Sequence, residues 1–146
     1  MIKSLLNAFG GQASVKETLD PPVAMAVLQI RLARADGHYG TEERALIHAE
    51  LMRLCSLAEE EATQTLETAD TLEAKAGDNV RFTKILKDAV DYEHRFGLVE
   101  SLWKIALADG HRDFEEDGFM RLIANLLGVN DRDSALARQA AQKTLS

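Results

Sequence analysis

One six-residue stretch occurs twice in this chain, and it limits the fold more than any other feature. Residues 33–38 read Ala-Arg-Ala-Asp-Gly-His and residues 106–111 read Ala-Leu-Ala-Asp-Gly-His, so Asp36 and Asp109 stand 73 residues apart. The same offset places Glu42 on Glu115 and Glu43 on Glu116. It also places Ile30 on Trp103, Leu32 on Ile105, Leu46 on Phe119, Ile47 on Met120 and Leu54 on Leu127. The shared pattern is an apolar helix, an Asp-Gly turn, a Glu-Glu pair and a second apolar helix. Each copy therefore reads as a helical hairpin, and two copies predict a pseudo-symmetric pair of hairpins around one core.

The rest of the chain agrees with an all-α fold of seven to eight helices. Ala, Leu and Glu are abundant and runs of Val, Ile and Thr are rare, which favours helix over strand. Asp20-Pro21-Pro22 is a helix start, with Asp as N-cap and Pro in the first turn. Val23, Met25, Ala26, Ile30 and Ala33 follow at helical spacing until Gly37 ends the run. Gly40-Thr41-Glu42-Glu43 opens the next helix, with Leu46, Ile47, Leu51 and Leu54 as its buried stripe. Ser56-Leu57-Ala58-Glu59 has the capping-box pattern, and Ala62, Leu66, Ala69 and Leu72 follow it. A helix around Phe82, Ile85, Leu86 and Ala89 breaks near Asp91. Leu98, Leu102, Ile105 and Ala106 mark another, ending at Asp109-Gly110. Asp113-Phe114-Glu115-Glu116 is a second capping box, followed by a buried face of Phe119, Leu122, Ile123, Leu126 and Leu127. Gly128 ends that helix, and Asn130 or Asp131 caps a last one to about Lys143.

With 146 residues and no long polar linker, the chain reads as one helical domain over 20–146. Residues 1–19 read as a short helix ended by Gly10-Gly11 and a linker. That helix either packs on the domain or touches a partner or a membrane surface. A formal charge of −7 without a basic patch argues against nucleic acid. Acidic charge suits cations or a basic protein partner. Cys55 is the single cysteine, so no intrachain disulfide and no thiol cluster can form. The apolar part of MIKSLLNAFGG is too short for a signal peptide, and no run approaches the roughly 20 apolar residues of a membrane span. The expected location is the cytoplasm, and a homodimer is compatible with the sequence.

The repeated turn carries the chemistry. Asp36 and Asp109 each close a helix, where the macrodipole disfavours a carboxylate by about 0.3–1 kcal/mol. A glycine follows each Asp and permits positive φ. Seven residues after each Asp stands a Glu in the first turn of the next helix. Carboxylates beside unpaired helix-end carbonyls are the ligands that hard cations prefer. Asp36, Glu43, Asp109 and Glu116 are thus candidate metal ligands, with Ca²⁺ or Mg²⁺ favoured. His38, His111, Glu42 and Glu115 are additional candidates; Mn²⁺ or Zn²⁺ is possible, and the two histidines as ligands would point to Zn²⁺ or another transition metal, although solvent-exposed turn histidines are their plainer reading. A structural reading stands beside this. A Glu at the third helical position satisfies backbone N–H groups without a metal, and Asp accepts N–H bonds from its own turn. The loop lacks the Asp-x-Asp-x-Asp-Gly run of an EF-hand.

Elsewhere the sequence is plainer. His48 and His94 are expected on exposed helix faces, Trp103 in the core, Asp91-Tyr92-Glu93-His94 at a helix boundary, and Glu59-Glu60-Glu61 at a solvated helix start. No Gly-x-Ser-x-Gly, His-Glu-x-x-His, phosphate-binding loop or dinucleotide glycine pattern occurs, so the expectation is a protein without enzymatic activity.

The residues from Arg95 to Val129, RFGLVESLWKIALADGHRDFEEDGFMRLIANLLGV, resemble the TerB-like family known from tellurite-resistance operons. Leu28 to Leu54 matches more loosely, and the resemblance extends over roughly 20–145. It implies an all-α fold with pseudo-symmetric halves. It also implies an acidic patch proposed to hold a divalent metal, at Asp36, Glu43, Asp109 and Glu116 here, and a role as adaptor or sensor in a stress response. The other reading is a metal-free module whose acidic face docks a basic partner. Gly40-Thr41 is an unusual helix entry for the family, so the first turn is expected to differ from the second.

Overall fold

The computed structural model describes residues 20–35, 37, 39–75, 77–108 and 114–145, with side chains described from Gly118 onward in the last stretch. The expected helix over residues 3–9 lies outside the described residues. Seven helices run through the described chain. They are α1 (Pro21–Ala35), α2 (Thr41–Cys55), α3 (Glu59–Lys75), α4 (Val80–Ala89), α5 (Tyr92–Leu107), α6 (Phe114–Leu126) and α7 (Asp131–Leu145). No strand occurs among the described residues.

The architecture is organised around α1. Twelve consecutive or near-consecutive residues of this helix, from Pro21 to Ile30 and then Leu32 and Ala33, are buried. A helix apolar on every side must be wrapped on every side, and α1 packs against α2, α3, α4, α5 and α6. The outer helices bury stripes instead: Ile47, Leu51 and Leu54 from α2, Leu66 from α3, Phe82 and Leu86 from α4, Met120 and Ile123 from α6. α3 packs on α1, and α7 packs on α5. Ala62 and Ala69 of α3, and Ala137 and Ala141 of α7, are fully buried. Their short side chains allow the helix backbones to approach closely.

The helix ends follow local chemistry. Asp20 Oδ1 accepts the Val23 N–H at 3.0 Å and caps α1 as its sequence requires. Gly37 has φ +81 and donates to the Arg34 carbonyl, ending α1. Gly128 has φ +79. It donates to Asn125 while Val129 donates to Ala124, which closes α6 with a Schellman pair. Asn130 Oδ1 accepts from Asp133 N–H and caps α7.

Three expectations are corrected. Ser56 does not start a helix. It ends α2 in the left-handed region at φ 54, and the capping carboxylate is Glu61, which accepts the Ala58 N–H at 2.8 Å. Leu122 is 47% exposed, and the buried face of α6 is set by Met120, at 1%, and Ile123, at 0%. His48 and His94 are half-buried and bonded rather than free on open faces. His48 Nε2 meets the Glu59 carbonyl and Thr63 Oγ1, tying α2 to the start of α3.

Candidate functional site

The first Asp-Gly turn links α1 to α2. Its left-handed glycine reverses the chain, and Gly40 sits as N-cap of α2 in extended conformation. Glycine has no side chain to cap with, so the helix start relies on Glu43, whose Oε1 accepts the Gly40 N–H at 2.9 Å. This is the structural role expected of a Glu at that position. A carboxylate has about four lone-pair sites, so the cap does not use up its capacity for ligands. Glu42 is exposed beside it. Asp36 and His38 lie outside the described residues.

The turn is clamped to α3 by charge. Tyr39 Oη donates to Asp70 Oδ1 at 2.8 Å, and Arg44 donates to Tyr39 Oη and pairs with Asp70. Burial first, and then the Asp70 carboxylate, push the Tyr39 phenol up to about 12. Desolvation works against the Arg44 charge, but Asp70 and Tyr39 outweigh it and raise its pKa. Arg34 Nε lies 2.9 Å from Glu73 Oε1, and its guanidinium stacks 4.9 Å from the centre of the Tyr39 ring. Arg31 donates to Asn79 Oδ1 at 2.8 Å, approaches Glu73 at 4.0 Å and lies over Phe82. Three arginines therefore meet the two α3 carboxylates next to the first turn.

The second turn links α5 to α6. The Ala108 N–H reaches the Ile105 carbonyl at 3.4 Å, and α6 begins at Phe114. Glu115 and Glu116 thus fall in the first turn of α6, as Glu42 and Glu43 do in α2. Asp109 and His111, and the side chains of Glu115 and Glu116, lie outside the described residues.

A different polar group gathers where α4 meets α5. Asp91, the N-cap of α5, makes no side-chain cap bond. Its carboxylate instead approaches His94 Nδ1 at 3.4 Å, and Glu93 joins them, with ligand atoms of all three within 4.8 Å. Beside it Tyr92 Oη donates to Asp133 Oδ2 at 2.6 Å. Arg95 donates to the carbonyls of Val90, Lys87 and Leu127, binding the ends of α4 and α6 to α5. The sequence marks this segment as a helix boundary, and it is one.

The sequence reading missed a buried polar group between α1, α2 and α5. Glu50 and Lys104 are each 6% exposed, and Gln29 and Ser101 are fully buried. Gln29 Nε2 donates to Ser101 Oγ at 3.1 Å. Glu50 pairs with Arg53 at 2.7 Å and with Lys104 at 3.5 Å. A polar residue interrupting an apolar run, Gln29 within PPVAMAVLQI and Lys104 within SLWKIAL, was the available signal.

These features define a class: an all-α module wrapped on one apolar helix, whose first Asp-Gly turn carries acidic residues at the start of the helix that follows. Residues 22–139 match the family described as Tellurite resistance protein TerB, and the chain belongs to that family. No curated protein and no solved structure matches it.

Proposed function

We propose that this TerB-family chain is a non-enzymatic helical module that binds a divalent cation through its duplicated Asp-Gly…Glu motif. Asp36, Glu43, Asp109 and Glu116 would be the ligands, with Ca²⁺ or Mg²⁺ the favoured ion. His38, His111, Glu42 and Glu115 stand close in sequence as further donors, which keeps Zn²⁺ and Mn²⁺ in the comparison. In this reading the module acts in the cytoplasm as an adaptor or sensor of a tellurite-type stress response. The observation that carries it is the first turn. A left-handed Gly37 ends α1, and α2 then opens with Glu42 and Glu43 in its first turn. That places carboxylates at a helix start close in sequence to the carbonyl end of another helix, where oxygen ligands for a hard cation can converge.

The second reading is a metal-free interaction module that docks a basic partner. It is supported by the exposed carboxylates at the starts of α2 and α3, which attract positive charge without the convergent geometry an ion needs. Exposed Glu42, Glu59, Glu60 and Glu67 would then form the docking face.

Thermal unfolding separates the two. The wild type and an Asp36→Asn/Asp109→Asn variant are heated with Ca²⁺, Mg²⁺, Mn²⁺ or Zn²⁺ at constant ionic strength. An ion at 100 times its Kd adds about 2.7 kcal/mol, roughly 5–10 °C in midpoint for a chain of this size. The expected result is a rise for one ion in the wild type and none in the variant. No shift with any ion, together with a destabilised variant, assigns the turns a structural role and leaves the docking reading, whose signature is salt-sensitive association without ion selectivity.

A further inference from the structure

We infer that the buried group of Gln29, Ser101, Glu50 and Lys104 is a positioning device that fixes α1 and α2, the helices flanking the first Asp-Gly turn, against α5, the helix that leads into the second. Its place in the fold is the reason. Gln29 lies fewer than two turns before the end of α1, and Glu50 lies about two and a half turns into α2, so both helices that flank the first turn contribute. Ser101 and Lys104 lie within two turns of the end of α5, the helix that leads into the second turn. Gln29 bonds Ser101, and Glu50 pairs with Lys104. Both stems of one turn are thereby tied to the incoming stem of the other.

The chemistry suits register rather than stability. Apolar burial is non-directional, so the apolar contacts of α1 with α5 specify rotation and height less sharply than a directional bond does. A hydrogen bond and an ion pair fix one rotation and one height. A buried ion pair adds little stability over a well-packed apolar replacement, but removing one partner is costly. Burial opposes ionisation of Glu50, yet Arg53, then Ser101 and Lys104, hold its pKa below the usual carboxylate value. The charges facing it are Arg53 on its own helix and Lys104 on α5. Glu100 of α5 also acts on Arg53. The ionised form is thus the one the core is built around.

The coupling matters for function only on the reading of the turns as a paired cation site, and its test is independent of that reading. Amide hydrogen exchange is measured on the full chain without added ions, for the wild type, Ser101→Ala and Glu50→Gln. Ser134→Ala serves as control. It removes a buried hydroxyl on α7 that accepts from Trp103 Nε1 at 3.2 Å, and so perturbs α5 next to Lys104 without breaking its ties to α1 or α2. The expected result is faster exchange in the last turns of both α1 and α5, read at Gly37 and Ala108. The size is about tenfold, of the order of one lost hydrogen bond. The control leaves Gly37 unchanged. Acceleration at one turn only, or an even rise across α3 and α4 as well, overturns the proposal. Ser101→Ala alone suffices if Glu50→Gln does not fold. If the wild type then shows no ion response, the cation reading falls while the coupling result stands.

Discussion

The pairing of α1 with α3 and that of α5 with α7 solve the same problem with different chemistry. The 73-residue offset of the sequence lays α1 on α5, and α3 and α7 are the helices that pack on them. The first pair is laced with charge through Arg34 and Arg31 on Glu73, and the turn and α2 that follow add Tyr39 and Arg44 on Asp70. The second pair is packed. Trp103 is 7% exposed, donates to Ser134 and lies under the Arg138 guanidinium at 5.3 Å. At the position 73 residues after Arg34 stands Leu107, which has no charge to offer a neighbouring helix. Helix pairing therefore depends on small buried alanines and apolar stripes, and the rim chemistry is free to vary. In the first half that freedom is used to hold a turn.

The comparison breaks hardest at Trp103. Trp103→Ala removes the ring that fills the α5–α7 contact and is expected to cost about 3–5 kcal/mol in urea unfolding. A loss below about 1 kcal/mol would mean that the second pair does not depend on packing. Next in size is alkaline pH. Burial, then Asp20, pushes the Cys55 thiol up to about 12. The folded state keeps a proton that the unfolded chain releases above pH 9, so this stability is present below pH 9 and is lost as pH rises toward 12. The slope is about 1.4 kcal/mol per pH unit, and Cys55→Ala should flatten it. Tyr39, also raised, adds a smaller loss over the narrower window from pH 10 to about 12, which Tyr39→Phe should remove. Smallest is Glu73→Gln. Arg34 is half exposed, so the loss should be no more than about 1 kcal/mol and should shrink in 1 M salt. A loss that ignores salt would show that the first pair, like the second, is held by packing.

Much of this fold is legible because its punctuation is local. Asp20 as cap, Gly37 and Gly128 as left-handed stops and Asn130 as the last cap need only their neighbours to be read. Ser56 was misread because a serine that starts a capping pattern can also end the previous helix, and only the φ of 54 distinguishes the two. Leu122 and Met120, two residues apart, lie on opposite sides of α6, and which side faces the core is decided by the neighbouring helices. Glu43 was legible as an N-terminal cap. The Glu50–Lys104 pair was not, because its members come from helices distant in sequence and periodicity carries no information on which polar residue meets which. The arginine clamp was missed for the same reason: Arg31, Arg34 and Arg44 find Asp70 and Glu73 only through the packing of α1 and α2 on α3.

The central position of α1 also has a consequence during synthesis. Its wrapping helices include α5 and α6, which end at Leu107 and Leu126, far behind it in the chain. At translation rates of about 5–20 residues per second, α1 waits roughly 5–18 s for its last cover. Through that interval the most apolar segment of the described chain is out of its final place, and a nascent chain of this kind depends on early pairing with α2 and α3, or on a chaperone, to avoid aggregation.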